Sequence, residues 1–260
     1  MSGQVRTEIR GALGWIIFDH QQRRNAITAE MWRAIPGAAQ ALDAHADVRV
    51  VLLRGAGDTA FVSGADISEF ENTRSGAAAE SYDRDNARAF MALADLRKPL
   101  IALIHGFCVG GGCALTLTAD LRYAAADAVF GIPAARLGLG YSAAGLEMLV
   151  NIVGVAAAKE IFFTARRFNA TDALRLGLVN QVMAKADLDT AVVSIAEEIA
   201  ANAPLTIRSA KMVLREILKP PALRDEDAIS ASIHACYASA DYAEGVRAFL
   251  EKRPPLFVGR

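Results

Sequence analysis

The sequence has few of the residues that mark a disulfide-rich, metal-binding or membrane protein. Only three of its 260 residues are cysteines, Cys108, Cys113 and Cys236, and their spacing fits neither a disulfide framework nor a metal site. The four histidines are scattered without ligand spacing, so we expect no metal. No apolar run is long enough to cross a bilayer, and no hydrophobic signal region follows Met1. These absences predict a cytoplasmic, reducing location with no membrane partner.

The chain also has no marked excess of positive or negative charge. The chain carries 28 Lys and Arg residues against 29 Asp and Glu residues, and no block of like charges interrupts it. A nucleic-acid partner is therefore not expected, because such binding depends on clustered positive charge. What the chain does have is apolar content, 53% of its residues, which is enough for a large core.

The order of the elements predicts the fold class. Short apolar, β-rich segments alternate with helical patterns up to about residue 180, and helical patterns alone follow. We therefore predict an α/β fold in two parts, with a core over 1–180 and a helical region over 181–260. The pattern also predicts a hairpin from Val5 to Asp19, broken at Gly11 and Gly14, and a helix that starts at Thr28 and is interrupted at Pro36.

A glycine-rich stretch in the middle of the chain is the first candidate for chemistry. The apolar run Leu100–Ile104 predicts a buried strand, and Gly110-Gly111-Gly112 precedes an apolar helical pattern. Glycines let a backbone approach a ligand closely, and the first amides of a helix have no partner within it. The stretch could therefore hold an oxyanion, although glycine turns of this kind also serve packing alone. It matches neither a dinucleotide-binding fingerprint nor a P-loop.

A second glycine turn, Ser63-Gly-Ala-Asp-Ile67, lies upstream, and Arg24-Asn-Ala-Ile27 precedes it. Together these segments resemble the enoyl-CoA hydratase/isomerase family, the crotonase superfamily, and the resemblance extends to Phe249-Leu-Glu-Lys-Arg-Pro254. It implies a spiral of ββα turns and a C-terminal helical region that forms homotrimers, often paired as homohexamers. It also implies an acyl-CoA substrate and no cofactor apart from the CoA of that substrate.

The resemblance assigns site residues by position. The backbone amides of Ala65 and Gly111 would hydrogen-bond the thioester oxygen and stabilise an enolate, because preformed donors act where charge develops. The positions that would contact CoA or the acyl group are Arg24, Ala26, Asp66, Ile67, Gly110, Pro133, Phe249 and Lys252. Several of these have simpler explanations: Asp66 could bond its own turn, Arg24 could be a solvated surface residue, and Phe249 could pack against a neighbouring helix.

Two positions depart from the hydratase pattern. Hydratases of the family use two glutamates as general acid and base, one after the glycine turn and one after the proline of the next loop. This chain has Ala114 and Ala134 there. The single-base isomerase also relies on the second position, and the dienoyl isomerase uses an acid where this chain has Ser142. Neither alanine can take part in general acid–base catalysis.

Tyr141 gives the sharpest hypothesis. It resembles the loop tyrosine of methylmalonyl-CoA decarboxylase, which needs no general base because the substrate carboxylate leaves as CO₂. The resemblance is partial, since that enzyme has a histidine where this chain has Ala65. Arg136 could bind the substrate carboxylate or form a surface ion pair. The sequence thus predicts an acyl-CoA lyase, with decarboxylation of a 2-substituted malonyl-CoA as the specific reaction.

Two alternatives remain. One is an enoyl-CoA hydratase of fatty acid or related acyl-CoA metabolism, with a displaced acid such as Glu69, Glu71 or Glu147. The other is a non-catalytic acyl-CoA-binding paralogue, which the missing carboxylates suit equally well.

Overall fold

The structure is a computed structural model, and it describes residues 3–69 and 76–260. Its strands are β1 (Gln4–Arg10), β2 (Leu13–Asp19), β3 (Val50–Gly55), β4 (Ala60–Val62), β5 (Leu100–Ile104), β6 (Phe107–Val109), β7 (Leu121–Ala125), β8 (Val129–Gly131), β9 (Phe168–Asn169) and β10 (Gln181–Met183). Its α-helices are α1 (Ala29–Ala44), α2 (Gly76–Ala94), α3 (Gly111–Thr116), α4 (Ala134–Leu137), α5 (Ala143–Thr164), α6 (Ala170–Arg175), α7 (Leu188–Ala201), α8 (Pro204–Ile217), α9 (Glu226–Tyr237) and α10 (Ala240–Glu251). This confirms the predicted mixed α/β class.

The strands form two sheets. The larger has six strands in the order β1-β2-β3-β5-β7-β10, and the smaller has four in the order β4-β6-β8-β9. The β1–β2 pair is antiparallel, whereas β2, β3, β5, β7 and β10 run parallel to their neighbours. In the small sheet β4, β6 and β8 are parallel, and β9 is antiparallel to β8. The parallel strands β3, β5 and β7 are mostly apolar and largely buried, as expected for strands covered on both faces.

The chain passes from the large sheet to the small one directly before the central glycines. The predicted buried strand over Leu100–Ile104 is confirmed as β5, but a second strand, β6, separates it from the glycine turn. A bend at Gly106 ends β5 and starts β6, which belongs to the other sheet. Gly106 has φ +53°, and a Cβ there would lie 1.9 Å from the Thr59 carbonyl oxygen. Only glycine fits this bend, and β6 therefore carries the central glycines.

Two details near the N-terminus correct the sequence prediction. Gly14 does not break the hairpin but lies within β2, where a Cβ would come within 3.0 Å of Leu42 and Val48 side chains. Pro36 does not interrupt α1, whose buried face of Met31, Trp32, Ile35, Ala39 and Leu42 packs into the main core. Thr28 does cap α1 as predicted, since its side chain accepts a hydrogen bond of 3.2 Å from the Met31 amide.

The chain after β10 is helical wherever it folds into regular elements, and its last residues run back over α10. The Asp241 carboxylate is buried and accepts hydrogen bonds from the amides of Val258 and Gly259, at 2.7 and 2.9 Å. Arg49 also donates to the Phe257 carbonyl at 2.6 Å, which ties this tail to the core.

The division of the chain into two parts at residue 180 stays a prediction. Within the described ranges, every helix is too short or too polar to cross a membrane.

Candidate active site

Three loops meet at one edge of the small sheet. The strands β4, β6 and β8 are parallel neighbours, with Val62 paired to Cys108 and Val109 paired to Gly131. The carboxyl ends of parallel neighbours lie about 5 Å apart, so the segments that follow them are brought together. These segments are the Ser63–Ile67 turn, the Gly110–Gly112 turn and the loop that starts at Ile132. The small sheet therefore brings together the two glycine turns, which are 46 residues apart in the sequence.

The two turns are in direct contact. A Cβ at Gly110 would lie 3.8 Å from the Gly64 Cα, and a Cβ at Gly64 would lie 3.5 Å from the Val109 carbonyl oxygen. Gly64 has φ +121° and Gly110 has φ +56°, conformations that other residues rarely adopt. Both glycines are therefore needed for their backbone conformation.

The amides of Ala65 and Gly111 have no hydrogen-bond acceptor among the residues described, although the amides beside them do. The Asp66 amide donates to the Ile27 carbonyl at 2.9 Å, and the Gly110 amide donates to the Gly131 carbonyl at 2.8 Å. Gly111 opens α3, where the first amides of a helix have no partner of their own. Two unpartnered donors on adjoining turns could bind one oxyanion.

Two packing contacts hold the second turn. Gly112 faces the Val62 carbonyl oxygen, which would lie 2.2 Å from any added Cβ. Gly111 faces Trp32, whose Cζ2 would lie 3.2 Å from an added Cβ. The Trp32 indole is itself fixed, since its N–H donates to the Tyr82 hydroxyl at 2.9 Å and Phe90 packs edge-on against it. Sequence reasoning did not identify Trp32 as part of this region.

Asn25 holds the Arg24–Ile27 loop against the first turn, and the sequence analysis did not assign it a role. It is buried in a left-handed conformation, and its side-chain amide donates to the carbonyls of Ala56 and Ala60 at 3.0 and 2.7 Å. The Ile27 amide then donates to the Gly64 carbonyl at 2.9 Å. Ala26, the predicted contact in this loop, is buried at its centre.

Asp66 has a local partner, as its turn position suggested. Its carboxylate accepts from the Ser68 hydroxyl at 2.7 Å and from the Ser68 amide at 3.0 Å. Burial would raise the pKa of Asp66, but these hydrogen bonds outweigh burial and lower it, so the group is charged at neutral pH. His20 lies 3.9 Å from the same carboxylate. The next residue, Ile67, is 75% exposed, an apolar surface beside the turn.

The candidate acids do not replace the missing glutamates in any contact the structure describes. Ala114 is half-buried and Ala134 is buried. Glu69 accepts a hydrogen bond of 2.7 Å from the Ala29 amide, so it caps the first turn of α1. Ser142 caps α5 through the Gly145 amide, and Glu147 is exposed on α5. Glu71 lies outside the described residues.

The loop after β8 carries the other predicted residues. Pro133 precedes the short helix α4, and Arg136 is exposed in the last turn of that helix. Tyr141 is half-buried in the following loop and packs edge-on against Phe162, with ring centroids 4.8 Å apart. Tyr141 is thus held by α5, on the loop that continues from the edge of the small sheet.

Two arginines lie over one aromatic ring on the outer face of the small sheet. The Arg24 guanidinium carbon is 4.6 Å from the centre of the Phe107 ring, and that of Arg167 is 5.8 Å from it. Neither has a carboxylate partner among the residues described. Arg167 comes from the segment before β9, so its position beside Arg24 depends on the β8–β9 pairing and was not predicted. Two unpaired guanidinium groups suit phosphate oxygens.

Phe249 and Lys252 lie far along the chain at the end of α10. Phe249 is 83% exposed, and Lys252 adopts a left-handed conformation that ends the helix. Their approach to CoA stays a prediction that depends on a neighbouring subunit.

Within the described ranges, no three His, Cys, Asp or Glu side chains are grouped so that they could hold a metal ion.

Comparison with known proteins identifies the family. Residues 8–260 match the model of the enoyl-CoA hydratase/isomerase family. The chain is 32% identical to the short-chain-enoyl-CoA hydratase of Clostridium acetobutylicum over 96% of this chain and 95% of that protein. It is 34% identical to the peroxisomal Delta(3,5)-Delta(2,4)-dienoyl-CoA isomerase of Arabidopsis thaliana, over 97% of this chain and 95% of that protein.

Solved structures agree. An enoyl-CoA hydratase/isomerase family protein from Hyphomonas neptunium is 38% identical, covers 98% of each chain and superposes with a TM-score of 0.93. An enoyl-CoA hydratase from Bacillus anthracis is 28% identical over 99% of this chain and all of its own, with a TM-score of 0.92. The predicted crotonase-like core is thereby confirmed, and the chain belongs to the enoyl-CoA hydratase/isomerase family of acyl-CoA enzymes.

Proposed function

We propose that this enzyme is a lyase that decarboxylates a 2-substituted malonyl-CoA through a thioester enolate. The observation that carries the proposal is the pair of alanines, Ala114 and Ala134, in the segments after β6 and β8, at the sheet edge where two backbone amides have no acceptor among the described residues. The site can stabilise an enolate but has no carboxylate at either position to move a proton. Decarboxylation is the enolate-forming reaction that needs no base.

The reaction balances without a cofactor. The bond between the α-carbon and the carboxylate breaks, CO₂ leaves, and the electron pair moves to the thioester oxygen beside the Ala65 and Gly111 amides. A proton then adds to the α-carbon from water or from the Tyr141 hydroxyl. The apolar alanines favour the reaction because they leave the departing carboxylate poorly solvated. Arg136 is the proposed contact for that carboxylate before it leaves.

The CoA part of the substrate would lie along the first turn and the Arg24–Ile27 loop. We propose that Ala26, Asp66 and Ile67 border the nucleotide and pantetheine, with Arg24 on a phosphate. Gly110 and Pro133 border the acyl group, and Phe249 and Lys252 approach from a neighbouring subunit. Apart from the CoA of the substrate, the proposal requires no cofactor. We also propose a cytoplasmic location for the enzyme.

Hydration of an enoyl-CoA is the second candidate function, and the relatives favour it. Besides the Clostridium acetobutylicum enzyme, a crotonyl-CoA hydratase of Syntrophomonas wolfei is 32% identical over 95% of each chain. For this chain to hydrate a double bond, an acid such as Glu147 would have to move to the substrate. This chain would then be an enzyme of fatty acid metabolism that catalyses hydration, as its relatives do, but with different catalytic residues.

Activity assays on a panel of thioesters distinguish decarboxylation from hydration. We expect CO₂ release from methylmalonyl-CoA or ethylmalonyl-CoA, a large loss in Tyr141→Phe, and no loss in Phe163→Leu, which changes an exposed aromatic side chain on α5. Installing Ala114→Glu and Ala134→Glu together should lower decarboxylation and raise hydration of crotonyl-CoA. Crotonyl-CoA turnover by the wild type that falls in Glu147→Gln, with no CO₂ release, would establish hydration instead. Acyl-CoA binding without turnover of any thioester would indicate the non-catalytic paralogue.

We further propose that the enzyme is a homotrimer or homohexamer assembled through its C-terminal region. Large apolar side chains are exposed on α8, α9, α10, the α8–α9 connection and the tail: Leu214, Ile217, Leu218, Leu223, Ile233, Tyr237, Tyr242, Val246, Phe249, Leu250, Leu256 and Val258. An apolar groove of about 810 Å³ runs between these helices. Patches of this extent on a protein surface usually mark an interface.

A further inference from the structure

A second cavity lies at the amino ends of β3 and β5 in the large sheet. Its volume is about 250 Å³. It is bordered by the end of α1, the residues before β3 and β5, the junction of α7 and α8, and the C-terminal tail. Because it opens at the amino ends of strands in the large sheet, it is distinct from the glycine turns at the carboxyl ends of the small sheet. Neither proposed reaction uses it.

The charge of its lining is uneven. Four basic side chains border the cavity, Arg49, Arg97, Lys98 and Arg208, against a single carboxylate, Asp43. The whole chain is nearly neutral, so this concentration of positive charge is local. A concave site lined by charge of one sign attracts the opposite charge more strongly than a flat surface does.

Three of the four cations are held in place by the fold, but only one is neutralised there. Arg97 pairs with Asp43 at 2.8 Å. Lys98 donates to the carbonyls of Leu42 and His45 at 2.7 and 2.6 Å, and these acceptors are neutral. Positive charge therefore remains on rigidly placed groups.

Arg49 is held in the same way, by the carbonyls of Ala200 and Phe257 at 2.9 and 2.6 Å. Arg208, exposed on the first turns of α8, has no partner among the residues described. The pKa of Lys98 is lowered, first by burial and then by the charges of Arg97 and Arg208, against the opposing effect of Asp43. Arg97 and Arg208 thus lie close enough to Lys98 for their charges to act on it.

The start of α8 adds to this potential. The helix has 14 residues, begins at Pro204 on the cavity wall, and has no acidic residue in its first turn. Its N-cap position is Ala203, which has no side-chain acceptor to offer. Neither the N-cap nor the first turn of α8 therefore compensates the positive end of the helix dipole.

We propose that this cavity binds a small phosphate-containing anion of about the size of pyrophosphate. Guanidinium groups and a lysine around a confined space are the recognition elements that phosphate oxygens require. Because the cavity joins α1, α8 and the tail, a bound anion would link the helical region to the core. Binding would therefore raise the thermal stability of the enzyme.

Pyrophosphate and inorganic phosphate are the probes, titrated calorimetrically into the full-length enzyme at constant ionic strength. We expect saturable binding with one site per chain and a rise of several degrees in Tm. Arg208→Gln should weaken binding about tenfold, which corresponds to the loss of one charge-assisted contact. Arg175→Gln is the matched control, since Arg175 is exposed and pairs with Asp172 on α6. Both variants change surface residues, so folding should be preserved.

Three results would overturn the proposal. One is the absence of saturable binding by the wild type. Another is equal weakening in Arg208→Gln and Arg175→Gln, which would indicate non-specific attraction. The third is displacement of pyrophosphate by crotonyl-CoA in one-to-one competition, because this would place the anion in the acyl-CoA site. Displacement by inorganic phosphate alone, with crotonyl-CoA binding independently, supports a separate site.

Discussion

Ala65 and Gly111 would act through backbone amides, so side-chain substitution does not test them directly. Replacing the alanine at position 65 by lactic acid converts its amide into an ester and removes the donor. Because that N–H has no acceptor in the described protein, we expect little change in Tm. Turnover should fall roughly 10²–10³-fold, as expected for the loss of one oxyanion donor. Steady-state kinetics on the thioester with highest activity provide the measurement.

The matched control is an ester at Asp66. Its amide donates to the Ile27 carbonyl at 2.9 Å, so the substitution should lower stability by about 1 kcal/mol and affect turnover much less. Equal kinetic effects at the two positions would show that the first turn acts only as a scaffold.

Gly111→Ala tests how rigidly the second amide is held. The new Cβ would lie 3.2 Å from Trp32 Cζ2, and Trp32 is fixed by Tyr82 and Phe90. The backbone must then give way, and small displacements in a catalytic site are costly. We expect a fall of about tenfold in kcat, with overpacking that costs roughly 1–3 kcal/mol of stability.

Gly37→Ala is the control for that substitution, because a Cβ at this position of α1 would meet nothing within 4 Å. It should leave kcat unchanged and should not lower Tm. If Gly111→Ala behaves in the same way, then Trp32 does not position the amide.

The glycines of the site were predictable, whereas the residues that hold them were not. Gly110 and Gly64 are visible in the sequence because few other residues tolerate their conformations. Asn25 acts through Ala56 and Ala60, and Trp32 acts through Tyr82, contacts that span 31 to 50 residues. No local sequence pattern predicts such contacts, because they form only when distant segments meet in the folded protein.

Among the secondary-structure elements, the short strands were hardest to predict. The strand β6 has three residues between Gly106 and Gly110, too few for an alternating or apolar run to be recognised. Its pairing with β4 and β8 stabilises it, and these partners are distant in sequence. The strand β5 was predicted because five consecutive apolar residues are typical of a buried parallel strand.

The outer face of the small sheet carries a prediction about CoA. If Arg24 and Arg167 bind its phosphates, Arg167→Gln should raise KM for an acyl-CoA about tenfold and leave kcat unchanged. The same variant should process the corresponding acyl-pantetheine, which lacks the nucleotide, as well as the wild type does. An equal change with both substrates would show that Arg167 acts on folding or on the acyl group.

The contact between α10 and the tail should depend on pH. The Glu244 carboxylate accepts from Arg253 at 2.6 Å, from Arg247, and from the Leu256 amide at 3.0 Å. These hydrogen bonds, that of Arg253 first, hold the pKa of Glu244 well below its ordinary value of 4.5. A carboxyl with a lowered pKa stabilises the fold above its ordinary pKa, and the contribution is lost as pH falls below that value.

Glu244→Gln should therefore lower Tm at pH 7, and its difference from the wild type should shrink as pH falls below 4.5. Thermal unfolding measured between neutral and acidic pH tests this. Glu197→Gln, at an exposed carboxylate of α7, serves as the control and should match the wild type throughout. A difference between Glu244→Gln and the wild type that stays constant with pH would mean that the tail is held by packing alone.

For the whole molecule, the two ends of the chain have different surfaces. Twelve of the twenty large apolar side chains that are exposed among the described residues lie between Leu214 and Val258. The α/β core buries its apolar residues on both sheets, but the helical region leaves a wide apolar face. Stable homo-oligomers bury about 2,000 Å² or more at such faces. The helical patterns were predictable from sequence, whereas a partner surface requires knowing which faces the core leaves uncovered.

Leu250→Asp should therefore dissociate the assembly. Leu250 is 75% exposed on α10, within the proposed interface, and a buried charge without a partner is costly. Light scattering after size-exclusion chromatography should give a trimer or hexamer for the wild type and a monomer for the variant. Phe163→Asp, at an equally exposed side chain on α5, should leave the mass unchanged. A monomeric wild type would remove the proposed interface, and with it the contribution of Phe249 and Lys252 to a neighbouring site.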